Sequence, residues 1–123
     1  MMVLNLELLR AFYEPMAEFS LTVTASPWST DQHPRALRFA HALHAEGHTV
    51  RQVFFYQDAV QAIQAAPIAQ AWEALATDMG CELFLCVSAA ERRAVTTVDT
   101  PWQLVGLGDW VTGLQQGEHL HFG

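Results

Sequence analysis

Lysine is absent from this chain: its six basic residues are all arginine, set against 13 acidic residues for a net charge of −7. That balance excludes an electrostatic grip on nucleic acid, because clustered cations on phosphate supply most such affinity. No basic patch with interleaved aromatics is present. Long apolar runs are missing too, and none approaches the roughly 20 residues that span a bilayer. The apolar start, residues 1–12, has no basic segment ahead of it and no small-residue cleavage site; Arg10 falls behind the apolar residues. A signal peptide is therefore a poor fit, and a cytoplasmic protein is expected. Charge of either sign is scarce, at 15% against a usual share of about a quarter. With 51% hydrophobic residues, such a surface leaves apolar area for a partner to cover, so an oligomer is expected.

Cysteine is scarce as well, with two residues, Cys81 and Cys86. If 82–86 is a strand, their Cα atoms lie roughly 16 Å apart at the usual rise per residue. A disulfide needs less than about 7 Å, so these two do not bridge, and free thiols fit a reducing compartment.

A length of 123 residues holds one domain with a sizeable core. Residues 18–25 alternate apolar and hydroxyl side chains and predict a first strand. After the loop at Ser26-Pro27-Trp28, Thr30 or Asp31 caps a helix over 33–46 that ends at Gly47. A second strand is predicted over 48–56 and an alanine-rich helix over 58–66, broken by Pro67. A further helix over 68–79 closes at Gly80. The apolar run to Cys86 predicts a third strand, followed by a short helix to about residue 94. Strands over 102–107 and 118–122 flank a short helix over 109–115. Strands alternating with helices predict an α/β fold, a mostly parallel five-stranded sheet covered on both faces. Residues 1–17 fit this scheme poorly. Leu4, Leu8, Leu9 and Phe12 line one face of a potential helix, so the stretch is either a disordered tail or an interfacial extension ahead of a single domain over 18–123.

The chemistry concentrates at Cys86. Its run, Cys81-Glu82-Leu83-Phe84-Leu85-Cys86-Val87-Ser88-Ala89-Ala90-Glu91-Arg92-Arg93, puts one thiol at the carboxyl end of a strand and the amino end of a helix. Open α/β sheets keep their sites there. A thiol in that place gains from the helix dipole, and Arg92 and Arg93 add positive field. The competing reading is a small core hydrophobe, since free cysteine is among the most buried residue types. Cys81, after Gly80, falls at the opposite end of the strand and reads as structural.

Other patterns are weaker. The spacing Cys86-(x)5-Arg92 matches oxyanion-cradling cysteine phosphatases, arsenate reductases and rhodaneses, whose loops need glycine for inward-turned amides. Here the five residues contain no glycine and one carboxylate. His41, His44 and His48 fall at helical spacing, and His119 and His121 share a strand face. Neither set is completed by a local acidic or thiol ligand, so no metal and no cofactor are expected. His33, in the first strand-to-helix loop on the same sheet edge as Cys86, is a candidate proton donor or orienting group. Gly106-Leu107-Gly108 lacks the third glycine of a dinucleotide fingerprint. Trp28 is placed to wall a pocket at Cys86.

The segments Thr30-Asp31-Gln32-His33, Phe39-Ala40-His41-Ala42-Leu43, Gly47-His48, Val53-Phe54-Phe55-Tyr56 and Cys86-Val87-Ser88-Ala89-Ala90-Glu91-Arg92-Arg93 together resemble the DsrE/TusD family of sulfur-relay subunits. The likeness runs in order from about Phe19 to Phe122-Gly123, including Val105 to Gly108. The family pattern sets its sulfur-accepting cysteine before Val-Ala-Ala-Ala-x-Arg-Arg-Gly, and Cys86 occupies that place. Ala94 stands where glycine is usual, Glu91 where an apolar residue is usual, and Ser-Pro-Trp fills the first loop. The resemblance implies a three-layer αβα sandwich and a sulfurtransferase that carries sulfane sulfur as a persulfide on Cys86. It also implies partners: related relay subunits in a hetero-hexamer or copies of the chain itself, with donor and acceptor carrier proteins. The sulfur's destination is tRNA wobble-uridine thiolation in one branch and dissimilatory sulfur oxidation in another. A subunit without catalytic function remains the alternative, with a phosphatase or rhodanese-like enzyme behind it.

Overall fold

The computed structural model describes residues 17–114 and 117–123. The potential helix face at Leu4, Leu8, Leu9 and Phe12 lies outside the described residues. Five strands, β1 (Glu18–Val23), β2 (Thr49–Phe55), β3 (Glu82–Cys86), β4 (Trp102–Val105) and β5 (Glu118–Phe122), form one sheet in the order β4-β3-β2-β1-β5. Every pairing is parallel. The connections carry α1 (Gln32–Ala45), a 3-10 helix (Gln57–Gln64) running into α2 (Ala66–Met79), α3 (Val87–Glu91) and α4 (Leu107–Gly113).

The strand order decides where the helices go. From β1 to β4 each strand is added beside the last, and right-handed crossovers set α1, the 3-10 helix, α2 and α3 on one face. The return from β4 to β5 crosses the whole sheet and leaves α4 on the other. Side-chain alternation makes the division visible: Phe55 meets Trp72 of α2 with ring centroids 5.1 Å apart, while Phe54 stacks on Trp110 of α4 at 4.7 Å. On the first face Leu21, Val23, Val53, Phe55, Leu83 and Leu85 are all fully buried. The expected cover on both faces is thus unequal: the second layer among the described residues is one seven-residue helix. Polar side chains on that face satisfy each other, as where Gln52 Nε2 donates to Ser20 Oγ at 3.0 Å.

Local chemistry explains the differences from the expected elements. Residues 57–64 close as a 3-10 helix. Pro67 does not break a helix but lies in the first turn of α2, where a missing N–H costs nothing. Asp31 stands at the N-cap position of α1 without a side-chain capping bond and pairs with Arg35 at 3.2 Å, while Thr30 Oγ1 accepts from the Gln32 N–H at 3.3 Å. The fourth strand stops at Val105, and α4 begins at Leu107 rather than residue 109.

Where β5 begins, Gly117 has φ +84° and its α-hydrogen faces the Glu18 carbonyl so closely that a Cβ would collide with backbone. Gly117→Ala is accordingly expected to lower stability by about 2 kcal/mol or more, from positive-φ strain plus the clash. Urea denaturation of the two proteins measures it.

Candidate active site

Cys86 ends β3 beside Val105 of β4 and flanks the first residue of α3 with extended backbone (φ −62°, ψ 121°). Its side chain is 1% exposed. The sulfur shares a hydrogen bond with Ser88 Oγ at 3.4 Å and caps none of the α3 amides. With five residues, α3 is too short to sum peptide dipoles into an appreciable field. The helix-terminus support expected from the sequence is therefore small, and among the described residues the hydroxyl of Ser88 is the side-chain group hydrogen-bonded to this sulfur.

The chain leaves α3 through a tight cap. The Val95 N–H donates to the Ala90 carbonyl at 2.8 Å and the Ala94 N–H to that of Glu91 at 3.1 Å, the paired bonds of a Schellman motif. Ala94 sits at its left-handed position, φ +59°. That is why glycine suits this place. Ala94→Gly is expected to raise stability by about 1 kcal/mol, since it removes left-handed strain at a cost in chain entropy smaller than the strain; thermal unfolding checks the sign.

The two arginines separate. Arg93 donates from Nε and Nη2 to Asp58 Oδ1 at 3.2 and 2.7 Å, and from Nη1 to the Ala89 carbonyl at 3.0 Å. It therefore clamps the end of α3 to the start of the 3-10 helix. Arg92 is exposed. Residues 87–91 are helix rather than a glycine-rich loop, which leaves no cradle of converging amides for the Cys-x5-Arg reading.

His33 is fully buried near the start of α1. Its Nδ1 accepts from Trp72 Nε1 at 3.2 Å, so Nε2 carries the proton and donates to the Ala25 carbonyl at 2.7 Å. Burial pushes its pKa below the ordinary 6.5, against a smaller opposite pull from the Ala25 bond. With both nitrogens held, His33 ties the loop after β1 to α1 and α2 instead of serving as a proton donor to Cys86. A depressed folded-state pKa contributes stability that is present above 6.5 and lost as pH falls below it. Stability should therefore decline on acidification from neutrality. His33→Leu should flatten that limb while costing about 2 kcal/mol at neutral pH, because Trp72 and Ala25 lose their partner; denaturation at several pH values measures both.

Cys81 is 6% exposed, and burial pushes its thiol up to about 11. A pKa raised by burial disfavours the nucleophilic thiolate at this position. Both cysteines are free. His119 and His121 share hydrogen bonds with Thr22 Oγ1 at 2.6 Å and Thr24 Oγ1 at 2.9 Å, and His48 Nδ1 accepts from the Ala17 N–H at 3.2 Å. Among the described residues no three His, Cys, Asp or Glu side chains gather to hold a metal. Trp28 is 60% exposed and stands in solvent on the carboxyl edge. A cavity of about 170 Å³ lies against α4, lined by Gln52, Phe84, Val105, Asp109 and Trp110; through Val105 it borders the strand position of Cys86.

Two partnerships escaped the sequence reading. Asp58 holds Arg93 from 35 positions away, a distance at which linear spacing carries no signal. Ser88 carries no role in the sequence analysis, although a hydroxyl two residues from a thiol is itself the available clue.

The DsrE/DsrF-like family profile matches residues 18–122. The chain is 41% identical over 86 residues to the sulfurtransferase TusD of Cronobacter sakazakii, covering 63% of this chain and 67% of that one. With the sulfurtransferase TusD of an Enterobacter species it shares 37% identity over 107 residues, 80% of this chain and 81% of the relative. The crystal structure of the ychN protein from E. coli superposes with a TM-score of 0.75 at 20% identity, over 87% of this chain and all of that one. That likeness is one of fold.

Proposed function

Because the chain belongs to the DsrE/DsrF-like family, we propose that it is a sulfur-relay sulfurtransferase in which Cys86 is the single persulfide carrier. The observation that carries this reading is the placement of Cys86 at the carboxyl end of β3, hydrogen-bonded to Ser88, while Cys81 lies at the opposite end with a raised pKa. The sulfurtransferase relatives supply the reaction type.

The transfer is a thiol exchange. The Cys86 thiolate attacks the outer sulfur of a donor persulfide, R–S–SH. A new S–S bond forms, the donor's S–S bond breaks, and R–S⁻ leaves with the electron pair. The product is Cys86–S–SH, its proton having travelled with the outer sulfur. A second protein thiolate repeats the attack and restores the Cys86 thiolate. No redox partner is consumed at either step.

The donor and acceptor are carrier proteins, and the chain works in a complex with related subunits or copies of itself. Support for this comes from the exposed apolar side chains of Trp28, Phe39, Leu107 and Val111. We assign the sulfur to wobble-uridine thiolation rather than sulfur oxidation, on the strength of the relatives named TusD. With an acidic chain, tRNA is engaged later in the relay. Free thiols favour the cytoplasm, and no helix among the described residues is long and apolar enough to cross a membrane. Arg92 is the exposed cation beside this site and a contact for an acidic donor; Arg93 and His33 hold the frame.

One observation favours a second reading. Cys86 is 1% exposed, as in a subunit that keeps the fold and the partners without carrying sulfur. Incubation with a low-molecular-weight persulfide separates the two by intact mass. The carrier gains one sulfur atom, Cys86→Ser gains none, and Cys81→Ser gains as the parent does. Loading that survives in Cys86→Ser, or is absent from the parent, contradicts the carrier reading.

A further inference from the structure

We propose that Ser88 is the activating hydrogen-bond donor to Cys86, a role that rests on the carrier reading for its place in turnover but is testable on the thiol alone. Ser88 Oγ lies 3.4 Å from Cys86 Sγ, a distance suited to the larger radius of sulfur. The two residues differ in burial. Cys86 is 1% exposed, whereas Ser88 is exposed in the first turn of α3. The hydroxyl therefore stands at the boundary between the sulfur and solvent.

The direction of the bond depends on the state of the sulfur. With a thiol, either atom donates. With a thiolate, Ser88 alone can donate, and the bond becomes charge-assisted and stronger. The hydroxyl thus stabilises the reactive form more than the resting form, which is the requirement for activation rather than mere positioning. Other sources of stabilisation are weak or occupied. The sulfur caps no amide of α3, that helix has five residues, and Arg93 is clamped to Asp58 and Ala89. Among the described residues, Ser88 Oγ is the side-chain atom hydrogen-bonded to this sulfur.

The same donor serves the second step. When an acceptor thiolate takes the outer sulfur, the electron pair of the breaking S–S bond returns to Cys86 Sγ. Ser88 Oγ is already in place to receive the developing charge with its hydrogen bond.

The test is the rate of iodoacetamide alkylation at the Cys86-containing peptide, followed by mass spectrometry from neutral to alkaline pH on the full chain. Ser88→Ala, an exposed change that removes no buried volume, is expected to slow alkylation about fivefold at neutral pH, the rate equivalent of one ordinary hydrogen bond. The difference should close at alkaline pH, where the thiol ionises without help, and Ser88→Thr should restore the parent rate. An unchanged rate in Ser88→Ala at every pH overturns the proposal. So does a slowing that is the same at every pH, because that marks altered access rather than ionisation. A Ser88 effect on alkylation in a protein that accepts no sulfur from persulfide upholds the hydrogen bond and overturns the carrier reading instead.

Discussion

Phe55 ends β2 with its ring fully buried, 5.1 Å from Trp72 of α2, 5.3 Å from Trp102 of β4 and 6.1 Å from His33 of α1. Aromatic contacts of this kind contribute about 0.5–1.5 kcal/mol each beyond the area they bury. Here they join four elements at one point. The knot is fastened by polar bonds that leave its buried heteroatoms satisfied: Trp72 donates to His33, His33 to Ala25, and Trp102 Nε1 to Glu73 Oε2 at 2.8 Å. Phe55 is the Cα partner of Leu85, the residue before Cys86. The strand that carries the thiol is thus anchored through Leu85 to the rings on one face of the sheet, and the Arg93–Asp58 pair fixes α3 to the 3-10 helix.

The burial of Cys86 makes chemical sense in that frame. A persulfide is easily lost to stray thiols, and a sulfur held among apolar neighbours is shielded from them. A donor that strengthens on ionisation suits a sulfur that must act as a thiolate. Ser88 supplies one without placing a full charge beside the sulfur. On the opposite face α4 covers the sheet thinly and leaves Leu107 and Val111 on the surface.

Much of this was legible in the sequence. Alternating strand and helix patterns gave the parallel α/β sheet, because the buried strands are short apolar runs and the helices end at Gly47 and Gly80. Cys86 was visible as a thiol at a strand-to-helix junction, and Cys81 as a second thiol at the opposite end of the same strand. A short helix to about residue 94 was expected, but at five residues α3 is shorter still, which removes the dipole argument, and the division of labour between Arg92 and Arg93 was not visible. His33 was misread for a physical reason: a histidine in a loop at the sheet edge looks available, and only the tertiary partners Ala25 and Trp72 reveal that both nitrogens are taken. The unequal cover of the two sheet faces follows from strand order, which local periodicity does not encode.

The central claim is that Cys86 stands between two thiols as a carrier, and single-turnover transfer tests it most directly. The protein is loaded with labelled sulfane sulfur, freed of donor and mixed with a protein-thiol acceptor. The label should leave the Cys86 peptide at the rate at which it appears on the acceptor. Label that stays on the chain, or escapes as free sulfide without reaching the acceptor, would contradict the account.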